Sequence, residues 1–135
     1  MKKNRISKNW INKQRRDIYV RKSQVEGYRA RSVYKLIEID QKFKILKNGI
    51  SVIDLGAAPG SWSQYVNKIV KSGRLVSVDL KEMEEINNTS QIKGDFTEKE
   101  QQNKIIKLFR SKVDVVLSDM AVNTTGIKDI DAIYT

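Results

Sequence analysis

The chain has 135 residues, the length of one domain, with a net charge of +10, no cysteine and no histidine. Disulfides and thiolate metal sites are therefore excluded, and so are the usual general base and the commonest metal ligand. Acid–base chemistry falls to Lys, Asp, Glu or Tyr.

The N-terminal stretch "MKKNRISKNWINKQRR" is basic but lacks the apolar core of a secretory signal. No apolar run in the chain approaches the ~20 residues of a membrane span. The expected setting is the cytoplasm. Residues 1–47 hold 15 Lys/Arg against 4 Asp/Glu, whereas residues 48–135 hold 11 against 12. This predicts a basic arm and helix over 1–47 attached to a near-neutral domain over 48–135. An arm of that charge favours a polyanion through counterion release, and Trp10, Tyr19, Tyr28 and Tyr34 are interleaved for stacking. Composition alone leaves a solvated lysine-rich tail as the other reading.

"RARSVYKLIEIDQKF" (29–43) sets Val33, Leu36, Ile37 and Ile39 near helical spacing, and "KNG" (47–49) closes the segment with a turn. "ISVIDL" (50–55) is β-branched and almost wholly apolar, as for a strand buried on both faces. A helix is expected over 61–73, with Trp62, Val66, Ile69 and Val70 on one side and Gly73 at its end. "RLVSVDL" (74–80) reads as a second strand and "SQIKGD" (90–95) as a weaker third. A helix over 98–111 and a strand over 113–120, "VDVVLSDM", complete the pattern. Strands alternating with helices predict an α/β fold with a parallel, doubly wound sheet. The sequence stops at "DIDAIYT", one turn into a possible next helix, and four strands make a thin sheet. A fold incomplete at its C-terminus is the expectation.

Asp54, Asp79 and Asp119 stand at or just beyond strand ends, and Asp95 follows the weak strand. Any one of them reads as a helix cap or turn residue. Together they line the edge where open α/β sheets bind ligands, and a negative rim repels phosphate. The turn reads Gly56-Ala57-Ala58-Pro59-Gly60, not G-x-G-x-x-G, so the dinucleotide fingerprint is absent. Asp79, 23 residues after Gly56, suits a ribose diol. A nucleoside with a positive charge and no phosphate fits this edge, and S-adenosylmethionine is such a ligand.

"RARSVYKLIEID", "VIDLGAAPGSWSQYV" and "VDVVLSDMAVNTTG", in this order and spacing, resemble the FtsJ-like ribosomal RNA 2′-O-methyltransferases from about residue 15 onward. The resemblance implies a Rossmann-like fold that uses S-adenosylmethionine to methylate a uridine ribose in large-subunit ribosomal RNA, within the ribosomal particle. It implies cofactor contacts at Gly60, Trp62, Asp79, Asp95 and Asp119. Asp79 would take the ribose hydroxyls and Asp95 the adenine amino group, while Trp62 also reads as core. The family's catalytic set is Lys-Asp-Lys-Glu, of which Lys35 and Asp119 match the first two. The proton-accepting lysine and the glutamate match nothing in these residues, and no metal is called for. Ser61 stands where a second glycine is common, and Val122 where a proline is common. A non-catalytic RNA-binding remnant is the alternative reading.

Overall fold

A computed structural model describes residues 2–110 and 112–119. Val122 and the "DIDAIYT" segment lie outside the described residues, as does the last residue of the strand expected over 113–120.

The basic arm is a helix, α1 (Lys2–Glu26). No glycine or proline interrupts it, and Gly27 ends it with φ 81° while the Tyr28 N–H donates to the Ser23 carbonyl at 2.8 Å. No apolar periodicity announces this helix, because most of its residues face solvent, Trp10, Ile18 and Val25 included. It docks through its C-terminal half. Tyr19 stacks on Tyr34 with ring centroids 5.3 Å apart, and Tyr28 meets the same ring edge-on.

α2 (Val33–Phe43) is shorter than the expected 29–43. Residues 29–32 direct their polar groups elsewhere: the Arg29 N–H donates to Gln64 Oε1, and the Ser32 carbonyl accepts the Trp62 indole N–H at 2.8 Å. Asp40, buried near the end of α2, accepts the Leu46 N–H and the Tyr65 hydroxyl. The division at residue 47 is one of charge; in packing, Leu36 and Leu46 belong to the core under the sheet.

The strands β1 (Ser51–Leu55), β2 (Arg74–Asp79), β3 (Ser90–Lys93) and β4 (Val115–Ser118) form a parallel sheet in the order β3-β2-β1-β4. Strand alternation sends Val52, Leu75 and Leu117 to one face, against Leu36, Trp62, Val66 and Val70. Ile53, Leu55, Val76 and Val78 go to the other, against Ile105 and Phe109. Val66 is fully buried, and each such side chain contributes ~1.5–3 kcal/mol. α3 (Ser61–Ile69) follows β1, and α4 (Lys99–Lys107) precedes β4. α3 stops short of the expected Gly73 where Asn48 Oδ1 captures the Lys71 and Ser72 N–H groups at 2.9 and 2.7 Å. No helix among the described residues is long and apolar enough to cross a membrane.

Candidate active site

The order β3-β2-β1-β4 is the first part of the doubly wound arrangement, whose ligand crevice opens where the order reverses, between β1 and β4. The turn after β1 lies there. Gly60 caps α3 with φ 114°, a conformation that disfavours any side chain. A Cβ at this position would also stand 2.8 Å from Arg29 Nη1. The φ favours glycine, and any side chain here would also displace the end of Arg29.

Asp79, at the end of β2, holds this turn from below. Its Oδ2 accepts the Ala58 N–H at 2.9 Å and its Oδ1 accepts the Lys81 N–H at 2.8 Å. Each oxygen keeps a lone pair for a further donor. A depression of about 270 Å³ beside it is lined by Ser77, Asp79, Lys81, Met83, Gln91 and Ile92.

Asp95 lies just past β3, on the same edge, after Gly94, whose N–H donates to the Asp79 carbonyl. Its Oδ1 takes both the Thr97 hydroxyl and the Thr97 N–H, at 2.6 and 2.9 Å. The Thr97 hydroxyl and then its amide hold this exposed carboxyl below the usual carboxylate range. The Trp62 indole is in the core, 5% exposed. Its backbone N–H belongs to the first turn of α3, whose amides have no intrahelical acceptor.

At the opposite side of the crevice, Lys35 Nζ on α2 stands 3.6 Å from Asp119 Oδ1 just beyond β4. The pair opens onto a cavity of about 510 Å³, walled also by Tyr19, Tyr34, Arg31 and Ser32. Beneath the edge, Asp54 is 1% exposed. Ser63 Oγ donates to its Oδ2 at 2.6 Å and itself accepts from Ser77 Oγ at 2.6 Å. Burial pushes the Asp54 carboxyl up to about 7, the Ser63 hydrogen bond opposes the rise, and the Asp119 and Asp79 carboxylates add to it.

The predicted residues thus fall on one edge of one sheet, with Asp79 and Asp95 on one flank and Lys35 and Asp119 on the other. Three features had no announcing motif: the Ser63–Ser77 support of Asp54, the Tyr19–Tyr34 wall, and Arg29 lying against Gly60. Tyr19 and Tyr34 were visible only as aromatics among basic residues.

A glycine turn lacking the dinucleotide fingerprint, at an acidic edge of a parallel sheet, marks an α/β domain with a ligand edge suited to a nucleoside. The model of the FtsJ-like methyltransferase family matches residues 28–135. A Pelagibacter ubique (strain HTCC1062) protein named ribosomal RNA large subunit methyltransferase E is 83% identical over 135 residues, covering all of this chain and 66% of that protein. A Rickettsia bellii (strain RML369-C) protein of the same name is 46% identical, covering 96% of this chain and 60% of its own length. The crystal structure of a protein described as a ribosomal RNA methyltransferase from Plasmodium falciparum superposes with a TM-score of 0.63 at 33% identity, over 79% of this chain and 64% of that one. The chain belongs to the FtsJ-like methyltransferase family. It spans less than two thirds, 60–66%, of the length of these curated relatives.

Proposed function

We propose that this chain carries the cofactor-binding and substrate-positioning part of an enzyme that methylates the ribose 2′-oxygen of a uridine in large-subunit ribosomal RNA, in the cytoplasm. The relatives' name supports the RNA class. The observation that carries the reading is the meeting of Lys35 and Asp119 at 3.6 Å, at the mouth of a polar, aromatic-walled cavity beside the crevice.

The donor set fits S-adenosylmethionine. Asp79 has lone pairs for a ribose diol, Asp95 keeps Oδ2 clear of the Thr97 bonds for an adenine amino group, and the carboxylates along the edge favour cationic centres. When bound, this cofactor supplies a methyl group on a sulfonium, an electrophile that needs no metal. Gly60 and the Trp62 N–H border the place where its amino-acid end would lie.

A 2′-hydroxyl is a weak acid and sheds its proton as its oxygen attacks in line. Lys35 and Asp119 orient that hydroxyl, Asp119 accepting its hydrogen bond and Lys35 holding charge beside it. The proton goes to a lysine amine, which a neighbouring cation keeps neutral more readily. In the family pattern that acceptor is a second lysine, for which this sequence has no match. The basic helix α1 adds phosphate contacts that position the RNA.

The test is nucleoside analysis of unmodified large-subunit RNA after reaction with labelled cofactor. Label in a 2′-O-methylated uridine supports the reading. Label on a base, or on protein, overturns it.

A further inference from the structure

We propose that Arg29 is the binding residue for the carboxylate at the amino-acid end of the cofactor, an inference that rests on the cofactor reading above.

The guanidinium of Arg29 bridges two loops at the ligand edge. Nη1 donates to the Pro59 carbonyl at 3.0 Å and to the Glu84 carbonyl at 2.8 Å, and Nη2 donates to the Glu85 carbonyl at 3.2 Å. Its own backbone N–H is fixed by Gln64 Oε1, whose amide in turn reaches the Gly27 carbonyl. The side chain is thereby held in one place, against the bare Cα of Gly60.

All three acceptors are neutral. Among the described residues no carboxylate lies within ion-pair distance of this guanidinium, so its charge is uncompensated. Three of five N–H donors are used. The unused donors, Nε–H and one Nη2–H, remain for a carboxylate, to which a guanidinium makes charge-assisted hydrogen bonds.

The ligand's chemistry demands such a group. Asp79 and Asp119 make the edge attractive to a sulfonium and an ammonium but repel a carboxylate. Lys35 already pairs with Asp119, and Lys81 lies at the Asp79 depression. Arg29 is the cation placed at the glycine turn itself, pre-organised by backbone contacts that a ligand need not break.

The experiment is calorimetric titration of the protein with S-adenosylmethionine and with decarboxylated S-adenosylmethionine, which keeps the adenosine, the sulfonium and the amine but lacks the carboxylate. Wild type is expected to prefer the first by roughly 10- to 100-fold, the range of a hydrogen-bonded charge pair. Arg29→Gln should weaken the first ligand alone and bring the ratio close to one, with Arg29→Lys between. Wild type showing no preference overturns the proposal, as does an Arg29→Gln variant that weakens both ligands equally, since the side chain would then only clasp the loops. Where a variant fails to fold, the wild-type ratio decides. Failure of wild type to bind either ligand defeats the cofactor reading along with this proposal, whereas binding of both without preference defeats this proposal alone.

Discussion

Lys35 and Asp119 are separated by 84 positions in the chain and by 3.6 Å in space. Their side chains are 66% and 35% exposed, and exposed pairs contribute only ~0–1 kcal/mol. Salt bridging therefore does not hold them together. α2 and β4 do, by packing Leu36 and Leu117 into the same core cluster. Urea denaturation should accordingly find Lys35→Ala and Asp119→Asn each within about 1 kcal/mol of wild type. A loss of several kcal/mol would mean that the pair is structural.

Asp79 has a double task, so its variants should separate. Asp79→Ala removes the acceptor of the Ala58 and Lys81 N–H groups and should cost about 1–3 kcal/mol of stability as well as cofactor affinity. Asp79→Asn keeps one acceptor oxygen, so it should retain more stability yet still bind S-adenosylmethionine at least about tenfold more weakly, having lost a charge-assisted acceptor. Calorimetry and denaturation on the same samples decide this. Undiminished affinity in both variants would remove Asp79 from the cofactor site.

The buried Asp54 predicts a pH signature. Its folded-state value, about 7, lies above the 3.8 of the free group. The folded state therefore holds a proton that the unfolded state has released, and stability falls as pH rises from about 4 to about 7. Asp54→Asn removes this titration while keeping an acceptor for Ser63. The stability of Asp54→Asn relative to wild type should increase across that window, by an amount on the order of a few kcal/mol, and level off above it. A stability difference independent of pH would show that Asp54 is ionised throughout.

For α1, RNA binding should carry a salt signature. Lys13, Arg15 and Arg16 are exposed, and replacing all three by Gln spares the docked Tyr19 and Ser23. If they neutralise phosphates, the slope of log K against log salt should become shallower by about 0.7–0.9 for each phosphate left without its cation. Filter binding to large-subunit ribosomal RNA at several salt concentrations reads it. An unchanged slope would leave the helix a solvated surface.

What the sequence made legible followed from local chemistry. β1 and β2 were readable because strands buried on both faces must be continuous and β-branched, and the acids at their ends mark the ligand edge. α1 was not readable as a helix, because an exposed, charged helix has no apolar stripe to betray it. The end of α3 was misplaced because its terminator, Asn48, comes from a distant turn. Trp62 reads equally as core and as a ligand contact; its indole lies in the core and donates to the Ser32 carbonyl. Arg29 was invisible as a site residue because its partners are the carbonyls of residues 59, 84 and 85, and backbone carbonyls leave no mark in a sequence.

Lys35 gives the most direct test that this edge is where RNA is methylated. In the proposed site it touches the substrate hydroxyl and not the cofactor. The measurement is single-turnover transfer of labelled methyl to unmodified large-subunit ribosomal RNA, using residues 1–135 joined to the part of the Pelagibacter ubique relative that this chain does not cover. Calorimetry with S-adenosylmethionine runs in parallel. Residues 1–135 alone should bind cofactor and transfer negligibly, lacking the family's acceptor lysine. In the joined protein, Lys35→Ala should lower the transfer rate by about 10²–10⁴ while leaving cofactor affinity unchanged. Transfer by the Lys35→Ala variant at the wild-type rate would contradict the assignment of this site.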